Sequence, residues 1–123
     1  MGWTEEQIKE LTYVDQELGL SYCAESREVY VEMLEIYLEQ GQENLERLPD
    51  FVDQKDWKNY IVAVHGLKGT SLTIGLQAFS EKAKEQELAG KGEEYDFIVN
   101  NLNDFLDLYR KVLAVVQAIV DNE

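Results

Sequence analysis

His65 is the one histidine in the chain, and three features of its surroundings bear on chemistry. An imidazole nitrogen is a good nucleophile near neutral pH. If the segment from Trp57 to Ile74 is helical, Lys68 and Gly69 fall one turn after His65 on the same face, in line with Ile61 and Leu72. A phosphoryl group on the ring would bring about two negative charges there, and Lys68 would partly neutralise them through a charge-assisted hydrogen bond. Gly69 omits a side chain where a second protein would have to approach. The third feature is an absence: no Asp or Glu occurs from Trp57 to Ser80. That window holds Lys58 and Lys68 and carries +2, which leaves −16 for the rest of a chain whose net charge is −14. A lone histidine at the edge of a helical stripe is more often a packing or surface residue, and a well-buried helix also holds few charges. The chemical reading rests on the three features occurring together.

The residues that must position this group read as helices joined by short turns. A first helix is expected from Thr4, which can form a capping box with Gln7, to Leu18-Gly19, with Ile8 and Leu11 on its apolar stripe. A second runs from Ser26 to Asp53 along Tyr30, Leu34, Leu38, Gly41, Leu45, Leu48 and Val52. Gly41 in that row suggests close packing against a neighbour, and Pro49 predicts a kink or restart because it removes the bond to Leu45. Asp56 caps the histidine helix, which runs to about Ile74 with Val64 and Leu67 towards the core. Gly75 makes a tight turn into a helix from Leu76 to Ala89, with Phe79 facing the core. Gly90-Lys91-Gly92 breaks the chain before a last helix, Glu93 to Val120. The fold expected is all-α: an antiparallel up-down-up-down four-helix bundle with an additional short N-terminal helix, as one domain over residues 1–123.

Composition narrows the function classes. Hydrophobic residues make up 45% of the chain, enough for a core. Eleven Lys and Arg against twenty-five Asp and Glu repel nucleic acid and anionic lipid, so neither is an expected partner. No apolar run approaches the roughly 20 residues that span a membrane. The N-terminus lacks a basic stretch before an apolar one, and Cys23 has no second cysteine to pair with; both suit a reducing, cytoplasmic setting. One histidine is too few for a di-metal carboxylate bundle, which needs Glu-x-x-His on two helices, and no zinc set is present. No nucleophile elbow or phosphate loop points to an enzyme with His65 as general base.

The string HGLKGTSLTIG, His65 to Gly75, resembles the signature of histidine-containing phosphotransfer (HPt) domains: His, two residues, Lys-Gly, two small residues, a short spacer and Gly. Thr70 is bulkier than the usual Ser or Ala. Glu87 stands where family members often carry a Glu or Gln facing the histidine, and Gln86 where Leu is common. The likeness covers about residues 10 to 118. It implies that His65 accepts a phosphoryl group on its outer ring nitrogen from the aspartyl phosphate of a response-regulator receiver domain, or from a sensor histidine kinase, and passes it to another receiver. It implies further that Lys68 neutralises phosphate charge, Gly69 gives the partner access and Glu87 orients the ring. The chain would be a monomer and no enzyme in itself, with no cofactor of its own and Mg2+ in the receiver. Docking candidates are Ile61 and Leu72, Ile8 and Leu11 on the first helix, and Tyr22 or Tyr30; any of these can equally be core. The rival reading is a helical adaptor that keeps the bundle without the transfer.

Overall fold

The computed structural model describes residues 2–123, in which six helices follow one another: α1 (Glu5–Leu11), α2 (Gln16–Tyr22), α3 (Arg27–Asp53), α4 (Trp57–Thr73), α5 (Gln77–Lys91) and α6 (Tyr95–Asp121). The four longer helices, α3 to α6, form the bundle, joined by short turns. The pairs α4–α5 and α3–α6 pack most closely, while α1 lies on α5 and α6, and α2 on α3 and α4. Tyr30, Leu34, Val64, Phe79, Leu108 and Val112 are completely buried in a core shared by α3, α4, α5 and α6. Among the described residues no buried side-chain polar atom lacks a partner.

The N-terminal segment is two helices where the pattern suggests one. Thr4 and Gln7 do form the capping box. The helix stops at Leu11, where the Thr12 hydroxyl donates to the Ile8 carbonyl at 2.7 Å. Asp15 then caps α2, its carboxylate accepting from the Leu18 N–H at 3.1 Å. The break lets the Asp15 N–H reach the Gly75 carbonyl at 2.8 Å, so the α1–α2 junction clasps the α4–α5 turn. Gly19 does not end a helix; it lies inside α2, buried, because Tyr30 and the Ile74 backbone pass against it. A Cβ at Gly19 would stand 2.3 Å from Tyr30 Cε1 and 2.8 Å from the Ile74 carbonyl oxygen. Gly75 makes the α4–α5 turn with φ +98°, a conformation open to glycine, and sits directly on the Asp15 backbone.

Pro49 lies inside α3, which runs through without a restart. Interior proline costs about 3 kcal/mol, whereas burial of Leu48 and Val52 on either side is worth about 1.5–3 kcal/mol each. Tertiary burial wins. In α3, Gly41 meets Leu113 of α6 as the close approach that its place in the row suggests. Tyr30 is core and not docking surface: it is fully buried, with its hydroxyl donating to the Ile74 carbonyl at 2.8 Å. Tyr37, outside the expected series, is buried too, because its hydroxyl pairs with Ser71 of α4 at 2.8 Å. The helix expected to end at Ala89 continues to Lys91, since Gly90 packs under Ile61 and stays helical.

Candidate functional site

Val64, Leu67 and Ser71 bury one face of α4, and that face fixes the opposite one, on which His65, Gly66, Gly69 and Leu72 are exposed. The side chain of His65 is 63% exposed. Its Nδ1 lies 2.6 Å from Oε2 of Glu87, which reaches across from α5. Glu87 is the buried member of the pair, 3% exposed. Two lysines join it: Lys68 Nζ donates to Oε1 at 2.7 Å, and Lys91 Nζ meets Oε2 at 3.0 Å. The helices are tied here by backbone as well, since the Ser80 hydroxyl of α5 donates to the Lys68 carbonyl at 2.8 Å. One residue before Glu87, Gln86 is buried, and its Oε1 accepts from the Tyr60 hydroxyl at 2.6 Å. That bond accounts for an amide at a core position.

A buried carboxylate with one partner would be costly, and Glu87 has three. The Lys68 hydrogen bond is the main cause that lowers its pKa, to about 2; burial works the other way, and the hydrogen bonds from Lys91 and His65 add to the lowering. Glu87 is therefore ionised at neutral pH and can only accept. The proton between it and His65 belongs to Nδ1, which leaves the lone pair on Nε2. No bond joins Nε2 to any described residue. The arrangement holds a ring with one nitrogen anchored to a buried anion and the other turned to the outside.

Lys68 is not pointed at open space: its ammonium is on Glu87. Gly69 is exposed, and a Cβ there would meet nothing within 4 Å. Leu72 is exposed, while Ile61 is half-buried against Gly90. Ile8 and Leu11 are half-buried on α1, which packs on α5 and α6 and has no contact with α4, so the fold does not bring them to the histidine helix. Tyr22 is exposed on α2. Three residues at the site were missed from the sequence. Lys91 falls in the expected Gly-Lys-Gly break, although a Lys four residues after a Glu is a recognisable helical pair. Val62, 63% exposed one turn before His65, had the spacing to be found. Leu88, exposed directly after Glu87, carried no signal of its own. Among the described residues no group of three or more His, Cys, Asp or Glu could hold a metal ion, and no helix is long and apolar enough to cross a membrane.

A family model described as "Hpt domain" matches residues 32–118. The chain belongs to the Hpt domain family. Its fold is similar to the crystal structure of the HPT domain from an Hpt sensor hybrid histidine kinase from Shewanella, with a TM-score of 0.81 and 22% identity. That likeness covers 92% of this chain and 97% of the other. No curated protein matches the sequence. As an Hpt domain the chain is a phosphorelay intermediate of two-component signalling, a carrier of phosphoryl groups and not a catalyst. Such domains work with receiver domains and histidine kinases.

Proposed function

We propose that His65 is the residue on which this Hpt domain carries the phosphoryl group, with residues 1–123 acting as one unit. The observation that supports this most is the pairing of an anchored Nδ1 with an open Nε2 on an exposed helix face. The Nε2 lone pair attacks phosphorus of a receiver's aspartyl phosphate. The N–P bond forms as the P–O bond breaks, and the bonding pair returns to the aspartate. Positive charge grows on the ring while the Nδ1 proton stays in place, and Glu87 at 2.6 Å offsets that charge. Delivery to a second receiver is the reverse. Lys68 acts at short range as a fixed cation one turn from His65 while its hydrogen bond keeps Glu87 ionised. Gly69 leaves room for the receiver, and Val62 and Leu72 give it apolar contact. The receiver brings the acidic pocket and Mg2+; this chain brings an aligned nucleophile.

The test is direct. The chain is mixed with a receiver domain charged by a small phosphodonor in the presence of Mg2+, and label on the chain is examined for acid lability and base stability. His65→Gln abolishes the label while helical content is unchanged; label persisting in that variant places the acceptor elsewhere.

A further inference from the structure

Beside Lys68 and Gly69 a groove of about 370 Å³ runs between α4 and α5, and α5 lines it with Gln77, Ser80, Glu81 and Lys84. Of the lysines along this part of the two helices, Glu87 holds Lys68 and Lys91. Lys84 is exposed, one turn before Glu87, and among the described residues no carboxylate lies within ion-pair distance of it. Glu81, a turn earlier on α5, is the one carboxylate lining the groove.

We propose that Lys84 is the cation that hydrogen-bonds the phosphoryl group carried on His65, in the mouth of this groove. The inference rests on His65 as acceptor and deepens that reading by separating two lysine roles. Drawing Lys68 onto the phosphoryl oxygens would strip the buried Glu87 of its strongest partner, and an under-compensated buried carboxylate is costly. Moving Lys84 breaks no ion pair. The long, flexible lysine stem lets its ammonium swing along the groove towards the ring. Lys68 then stays on Glu87 and positions the ring through it, while Lys84 touches the phosphoryl oxygens. Glu81 opposes the incoming anion and sets the net attraction of the groove.

The full chain is loaded with phosphoramidate, and the 31P signal of its phosphohistidine is followed against pH. Loss of a nearby cation makes the phosphohistidine hold the proton on its other ring nitrogen more tightly, so Lys84→Gln raises the titration midpoint by about half a unit. Lys84→Arg restores it and Glu81→Gln lowers it. Transfer from the loaded chain to a receiver changes by about three- to tenfold in Lys84→Gln, the range expected of one charge-assisted contact at a partly exposed site. A midpoint in Lys84→Gln equal to the wild-type one, with label still dependent on His65, overturns the role of Lys84 and leaves His65 as acceptor. Loading that survives His65→Gln, or no loading of the wild type, overturns the acceptor assignment instead.

Discussion

At Glu87, the geometry turns one carboxylate into the junction of three cationic or donor side chains, and stability must follow its ionisation. Its folded pKa, about 2, lies below the ordinary 4.5. A depressed carboxylate contributes stability that is fully present above the unfolded value and lost as pH falls through the folded one. The window is therefore pH 4.5 down to about 2. Glu87→Gln should cost on the order of 2 kcal/mol at pH 7, and the gap from wild type should close across that window. Urea unfolding at a series of pH values checks this; a gap that stays constant down to pH 2 would mean that the carboxylate's charge is not what stabilises the junction. The same variant retains a hydrogen-bonding group opposite Nδ1 and loses the counter-charge, so phosphotransfer slows without being abolished.

The α4–α5 hairpin and the α1–α2 clasp set where substitutions are tolerated. Gly19 and Gly69 both lie inside helices, yet their surroundings differ in kind. At Gly19 a methyl group meets the Ile74 backbone, which has nowhere to go because Asp15 holds the adjoining turn. Gly19→Ala should lower stability by about 1–3 kcal/mol. At Gly69 the same methyl meets open space, and the gain in helix propensity should raise stability by about 0.5–1 kcal/mol. Gly69→Phe should leave thermal unfolding close to wild type and reduce transfer from a receiver. Opposite signs for the two alanine variants in thermal unfolding are the expected result; equal destabilisation would mean that Gly69 is required by the fold, and its place in the docking surface would lose its basis.

Over the whole molecule, charge is spread unevenly along the chain. A net −14 repels itself in the folded state, while the stretch around His65 is free of acids. Salt shortens the reach of both effects, to about 8 Å at 0.15 M. Raising NaCl should therefore stabilise the bundle by relieving self-repulsion. It should also slow transfer by a few-fold between about 0.05 and 0.5 M, because attraction between the lysines near His65 and the acidic receiver pocket is screened. Scanning calorimetry and stopped-flow transfer across one salt series read the two signs together. A transfer rate indifferent to salt would show that the acid-free window does not steer the partner.

Much of this architecture depends on interactions within four residues along the chain, and such interactions are legible in a sequence. The Thr4–Gln7 box, the Asp56 cap, the buried row of α3 and the exposed face that carries His65, Gly69 and Leu72 are of that kind. So is the charge distribution, which needs no fold. The likeness of His65 to Gly75 to a family signature supplied the expectation of phosphotransfer and of Glu87 opposite the ring. Periodicity erred where distant backbone intervened: the break between α1 and α2 exists because Asp15 meets Gly75. Tyr30, in the apolar row yet also open to a docking reading, is core because Ile74 and Gly19 close over it. What only the tertiary structure decided is the commitment of each cation. Lys68 and His65 meet Glu87 across 19 and 22 residues of chain, through the packing of α4 on α5. A sequence lists its charges, but Coulomb attraction and desolvation depend on distance and burial, and the folded chain assigned Lys68 and Lys91 to Glu87 and left Lys84 without a partner among the described residues.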